Sequence, residues 1–284
     1  MTATTHKNHR SSVVWALVLT WLTTILLVVV TCLLTLMTTV AHPGYMKSQI
    51  RRSGYADLVY EYLYEDFCSY GASTGFDSDV ICSVLSTDQI NTDMDKTVDK
   101  LYAGNTQMSA RNDFQSQVNQ VLLDNLAQRG VDVTEDIQSA VSIVADACRL
   151  DYAAYVSIPL AGQLSAVISK INKLLIPSIA ISSIFCAVSL ILMLRLAGKP
   201  RLGVRCLTYA FTSAALLCLL GSTSVYPLLG LDRIPLSPES LRLLVLNYIR
   251  GIFTQLSIFA AVLALVAGLL LALQCMGSKP KKTA

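Results

Sequence analysis

VVWALVLTWLTTILLVVVTCLLTLMTTVA, residues 13–41, contains no Asp, Glu, Lys, Arg or His. A helix rises 1.5 Å per residue, so about 20 apolar residues cross the ~30 Å of hydrocarbon in a bilayer. This run exceeds that length, and His42-Pro43-Gly44 closes it. Three further runs without charge follow, at Leu174–Leu194, Leu207–Leu231 and Gly251–Gly277. A core helix of a water-soluble protein would show a run of about 10–14 residues. The whole chain is 53% hydrophobic and only 14% charged, against ~25% charged in soluble domains. Four transmembrane helices are therefore expected, over 13–41, 174–195, 207–231 and 251–277. The basic residues Lys7 and Arg10 and a small-residue end at Thr39-Val40-Ala41 imitate a signal peptide. Its apolar core is about 7–15 residues in such a peptide, so the first run reads instead as an uncleaved anchor.

Basic residues orient the spans. Lys7 and Arg10 precede the first, Arg195, Lys199, Arg201 and Arg205 lie between the second and third, and Lys279, Lys281 and Lys282 follow the fourth. The positive-inside rule makes those three regions cytoplasmic. They correspond to an N-terminal segment 1–12, a loop 196–206 and a tail 278–284. Residues 42–173 then form an extracytoplasmic domain, and 232–250 an outer loop with an interfacial helix that leads into the fourth span. Seventeen of the 19 carboxylates fall between residues 41 and 173, against ten Lys plus Arg there. The formal net charge of +3 is thus a cancellation between a basic inside and an acidic outside, and gives no ground for nucleic-acid binding.

The inserted domain reads as helix nearly throughout. Helices are expected over 46–70, from Asp77 or Ser78 to Leu85, from Thr87 or Asp88 to Tyr102, over Ala110–Gln128, and from Thr134 on through Pro159. Breakers separate them at Gly71–Gly75, Gly104-Asn105 and Gly130. In the fourth, Phe114, Val118, Val121, Leu122 and Leu126 have core spacing. The fold class is an all-α integral membrane protein, four transmembrane helices with a helical extracytoplasmic domain between the first and second.

Within that domain YADLVYEYLYEDF, residues 55–67, has four tyrosines and four acids in thirteen positions. On a helix, Asp57, Glu61 and Glu65 form one stripe of like charge, which costs roughly 0.2–0.5 kcal/mol per pair. The stripe is a solvated face, a match for Lys96, Lys100 or Arg111 on a neighbouring helix, or a partner-binding surface. Tyr60 and Tyr64 border it. Asp66 falls on the opposite, apolar side, as a fraying end residue or a carboxylate that needs a buried partner.

Catalytic chemistry is not expected. Gly71-Ala-Ser73-Thr-Gly75 matches the pattern of a hydrolase nucleophile elbow, but that turn needs a preceding strand and a nearby base. The three histidines, His6, His9 and His42, place no such base. No zinc or calcium-loop spacing occurs, so no cofactor and no metal are assigned. The spans carry no Asp, Glu, Lys or His in their central parts, where proton and ion pathways place them. Of eight cysteines, only Cys68, Cys82 and Cys148 lie in the inserted domain. A Cys68–Cys82 disulfide would close a short loop for up to ~3 kcal/mol, with the helical core as main stabiliser. Ala260, Ala264, Gly268 and Ala272 recur every fourth position on the last span as a candidate helix-packing ridge.

The expected function is non-enzymatic: a subunit or accessory of a membrane assembly whose acidic helical domain binds or senses a partner. Besides the lipid bilayer, its partners would be another membrane protein or copies of itself. The alternative is a channel or transporter for a neutral or amphipathic solute. For the topology, a single cysteine introduced at Asn105 should react with an impermeant maleimide in sealed cells, and one at Lys281 should not. Labelling at Lys281 reverses the orientation.

Overall fold

The computed structural model describes residues 3–105, 112–157, 161–196, 200–228, 230 and 239–276. All regular structure among them is α-helix, in ten elements: α1 Ala3–Thr38, α2 Pro43–Arg52, α3 Tyr55–Thr74, α4 Ser78–Cys82, α5 Thr87–Tyr102, α6 Asn112–Gln128, α7 Glu135–Val156, α8 Ala161–Leu196, α9 Pro200–Leu228 and α10 Glu239–Met276. They divide into two compact units. Four helices are long and apolar enough to cross a membrane, over Val14–Thr38, Gly162–Arg195, Leu202–Val225 and Leu241–Cys275.

Most of their length belongs to one unit, comprising residues 1–41, 171–234 and 248–284, while 162–170 and 241–247 fall in the other. Of the spans, α9 is the most enclosed, 39% buried against 11–22% for the others, and its sequence explains why. Ala210, Ala214, Cys218 and Ser222 recur every fourth position and are all buried. Small side chains let neighbouring backbones approach closely. Ala210 and Ala214 cluster with Leu27 of α1 and Cys186 of α8. Threonines of α1 fill the rest of its buried face. Thr23, Thr31 and Thr35 each donate to the carbonyl four residues back at 2.7–2.9 Å, so their hydroxyls enter an apolar interior already satisfied. Thr23 also meets Ser189 of α8 at 2.6 Å. On α10, Ser257 donates to Ser222 at 2.8 Å and Gln274 to Thr208 at 2.6 Å.

Several boundaries differ from expectation. The loop expected over 196–206 is largely helix, because α9 already starts at Pro200; proline's fixed φ and missing N–H suit the first turn. Nor is the lead-in before the fourth span a separate element. α10 runs unbroken through Arg250 and Gly251 for 38 residues, about 57 Å at 1.5 Å per residue. Lys199, Asp232, Ser237-Pro238, the lysines after residue 278 and Pro159 lie outside the described residues.

The second unit, residues 42–170 with 235–247, contains α2–α7. The helix expected over 46–70 is two helices. Gly54 takes φ 65°, a left-handed conformation that costs glycine little, and it ends α2 and starts α3. Past residue 70 the helix does not break at Gly71 but continues to Thr74, and Gly75 at φ 80° caps it. Ala56, Val59, Leu63, Phe67 and Gly71 bury one face of α3. The opposing side chains are Ile81 of α4, Ile90, Met94 and Val98 of α5, Phe114, Val118 and Leu122 of α6, and Val141, Ala145, Cys148 and Tyr152 of α7. Burying a large side chain of this kind is worth about 1.5–3 kcal/mol. On α6, Phe114, Val118 and Leu122 are buried as expected, while Val121 and Leu126 are half-buried. α4 is shorter than expected, ending at Cys82, and Thr134 occupies the cap of α7 without a side-chain bond.

Gly71 sets how closely the chain doubles back onto α3. A Cβ there would lie 3.1 Å from the Phe76 carbonyl oxygen and 3.1 Å from the Ser78 Cα. Alanine would gain about 1 kcal/mol of helix propensity, but crowding backbone in a packed site costs about 1–3 kcal/mol. Gly71→Ala is expected to destabilise the unit by about 1 kcal/mol net. The check is the temperature at which the buried Cys148 thiol becomes open to alkylation; a rise would show that α4 yields freely.

Candidate functional site

The tyrosine-rich segment finds its use between α3 and α7. Tyr70 donates its phenol proton to Asp151, and burial together with the neighbouring Asp66 carboxylate pushes the Tyr155 phenol up. Moving from Asp66 to Tyr70 goes four residues forward on α3, and from Tyr155 to Asp151 four back on α7, the register of an antiparallel helix pair. Each helix therefore supplies one phenol and one carboxylate to the other. Tyr62 stacks on Tyr155 with centroids 6.0 Å apart. Asp66 is thus a carboxylate with a partner, not a fraying residue. The Asp151 carboxylate pushes the Tyr70 phenol up to about 12, with burial adding to the effect.

A second buried acid ties α5 to α7. Asp93 is 8% exposed and accepts from Tyr152 at 2.9 Å and from Lys96 at 3.0 Å. Burial opposes its ionisation, but hydrogen bonds from Gln89, Lys96 and Tyr152, with the Lys96 charge, outweigh burial and hold the carboxyl below its usual range. The Tyr152 ring stacks on Phe114 at 4.3 Å, which fixes its hydroxyl toward α5.

Several acids of this unit have identified partners. Asp99 pairs with Lys47, Asp95 with Arg51, Asp77 with Arg129 and Asp146 with Arg149. The basic face of α2 thus docks on the acidic face of α5. The stripe differs: Asp57, Glu61 and Glu65 are all exposed, and no ion pair joins them to a cation among the described residues. Of the three basic groups matched to it from sequence, Lys96 instead pairs with Asp93, Lys100 is engaged, and Arg111 lies outside the described residues. Tyr60 and Tyr64 stack beside the stripe at 6.1 Å, and Tyr64 is 38% exposed.

The other candidates separate. Ser73 sits in the last turn of α3 and donates to the Tyr70 carbonyl at 3.0 Å, so no strand leads into the G-x-S-x-G turn. Among the described residues no group of three His, Cys, Asp or Glu side chains is placed to hold a metal ion. Cys68 and Cys82 are thiols with sulfurs 3.7 Å apart. On α10 only Ala260 of the ridge is buried; Ala264, Gly268 and Ala272 face outward. The four-residue ridge that packs inside the chain is the one on α9, legible as Ala210-x₃-Ala214-x₃-Cys218-x₃-Ser222 but not singled out from sequence. A shallow groove of about 380 Å³ between α6 and α7 is lined by Asn119, Leu123, Glu135, Gln138, Ser139 and Ser142. Comparison of the chain with protein-family models, with curated proteins and with solved structures found no match.

The buried Asp93–Tyr152 pair and the half-buried Tyr70–Asp151 pair set opposite pH limits. Asp93, held below its usual value, stabilises the fold at neutral pH, and that contribution is lost as pH falls below about 4. Tyr70 is raised, so its contribution is complete below pH 10 and lost as pH climbs through about 12. Chemical melts followed by circular dichroism should show both limbs. Asp93→Ala should cost about 1–3 kcal/mol at pH 7, because it removes the buried acceptor of the Tyr152 and Lys96 hydrogen bonds, and should flatten the acid limb. Tyr70→Phe should flatten the alkaline one. Unchanged limbs in both variants would remove these residues from the pH response.

Proposed function

We propose that the chain is a non-enzymatic multi-pass protein of the cell membrane, with both termini cytoplasmic and the α2–α7 unit outside. There it presents Asp57, Glu61 and Glu65, flanked by Tyr60 and Tyr64, to a partner with a basic surface. The observation that carries this reading is three exposed, like-charged carboxylates aligned on one face of α3 beside the stacked Tyr60 and Tyr64. Asp77, Asp93, Asp95, Asp99 and Asp146 have cationic partners, and Asp66 and Asp151 have phenolic ones. A stripe of mutually repelling acids that makes no ion pair among the described residues gains from an external cation. Stacked tyrosines beside it add the amphipathic contact area in which protein interfaces are enriched.

The spans support assembly over transport. A solute pathway, the alternative reading, calls for free polar groups along a passage. The buried hydroxyls of α1 are bonded to their own helix carbonyls, and Ser222 and Thr208 are bonded to α10. The outward ridge Ala264, Gly268 and Ala272 offers a close-packing face to another membrane protein or a second copy.

A photo-crosslinking residue placed at Glu61 in living cells should capture a discrete partner, and the adduct should vanish when Asp57 and Glu65 are changed to Asn and Gln. The same probe at Asp88, an exposed acid outside the stripe, should capture none. Equal capture at both positions, or none at either, removes the stripe as an interface. Glu61→Gln alone should leave the isolated protein as stable, or more stable by a few tenths of a kcal/mol as repulsion falls. A melting temperature that climbs with millimolar calcium only in the unmodified chain would make the stripe a cation site instead.

A further inference from the structure

We propose that Cys68 and Cys82 are a bridge-forming pair, converted by thiol–disulfide exchange into a covalent clamp that holds α4 on α3. The pairing is geometric. Their sulfurs lie 3.7 Å apart across the α3–α4 contact, close enough for one to attack a disulfide carried by the other. The third thiol of the unit is excluded by burial: Cys148 is 0% exposed, under the core of α7. Cys68 is half-buried and Cys82 buried, so Cys68 is the sulfur that an incoming oxidant meets.

The backbone brings the two together without help from the bridge. α3 reaches Thr74, Gly75 turns the chain, and the close fit of Gly71 against Phe76 and Ser78 lays α4 back along α3. Cys68 lies one turn before Gly71. In the reduced form the Cys82 thiol also faces the Tyr64 carbonyl at 3.8 Å. Burial, reinforced by the contact with Cys68, pushes the Cys82 thiol up to about 12, which suits it to the second step rather than the first.

The exchange balances as follows. The Cys68 thiolate attacks a disulfide oxidant of the glutathione type, forming a mixed disulfide and releasing one thiolate. Cys82 then loses its proton and attacks the Cys68 sulfur, and the second half of the oxidant leaves as a thiolate. Two protein thiols are oxidised to one disulfide, and one external disulfide is reduced to two thiols. In cells the step needs an oxidising compartment, so its occurrence there rests on the outer placement proposed above. The chemistry itself does not.

The test uses the purified full-length protein in detergent, incubated with oxidised glutathione, denatured, alkylated without reductant and mapped by mass spectrometry. Cys68 and Cys82 should escape alkylation, and their peptide should be two hydrogens lighter; prior reductant should restore both labels. Cys148→Ser should leave the bridge intact, and Cys68→Ser should leave Cys82 and Cys148 both alkylated. Alkylation of Cys68 and Cys82 after oxidation, or a bridge to Cys148, overturns the pairing. The cysteine probe at Asn105 separates the two readings. If it reports the cytoplasm and the bridge still forms in detergent, the placement falls and the pairing stands. If it reports the outside and both thiols survive oxidised glutathione, the pairing falls alone.

Discussion

A polar group withdrawn from water must find its partner within the protein, because an unmatched buried donor or acceptor costs about 1–3 kcal/mol. Both units are organised by that requirement. In the membrane-type unit the threonines of α1 turn their hydroxyls onto the carbonyls four residues back, and the methyl group is left for packing. In the other, Tyr70 and Tyr152 each donate to a carboxylate on a neighbouring helix, and Tyr155 lies beside Asp66. Among the described residues, the buried side-chain acceptors without a protein partner are Asn91, Asn119 and Asn125 Oδ1, on α5 and α6 rather than at the α3–α7 contact.

The reciprocal phenol–carboxylate pairs explain the unusual composition of residues 55–67. A helix that only filled a core would gain as much from leucine. Tyrosine lets α3 bury its ring and still meet a carboxylate, and the two pairs 66/155 and 70/151 match in one antiparallel register. A slip of α7 by one residue would leave two carboxylates and two phenols unpaired at once, so the pairs specify alignment as well as adding stability. Val59, Leu63 and Phe67 supply the non-directional part of the same contact.

Charge is partitioned just as sharply. α2 is basic where it meets the acidic face of α5, through Lys47–Asp99 and Arg51–Asp95. Exposed pairs of this kind are worth only about 0–1 kcal/mol each, so their main effect is to choose which faces meet. With those cations engaged, Asp57, Glu61 and Glu65 stay exposed as one like-charged stripe on α3, and the partner-binding reading rests on that stripe.

Sequence alone was enough for the four spans, since hydrocarbon thickness imposes a minimum apolar length that no local alternative satisfies. It was also enough for the helical character of the α2–α7 unit, the limits of α5, and the core face Phe114, Val118 and Leu122, because these follow from local period and breakers. Its failures were at junctions: Gly54 divides a segment with helical pattern on both sides, whereas Gly71 looks like a breaker and is a packing glycine. Only the tertiary structure decides such cases, since a glycine's role depends on which backbone approaches it. The same holds for partners. Asp66 and Glu65 are adjacent acids in the chain, yet one meets Tyr155 and the other faces solvent. Likewise the ridge on α10 and the ridge on α9 share one spacing, and only the second is enclosed by its neighbours. Periodicity places a residue on a face; what lies opposite that face is set by contacts between segments far apart in the chain.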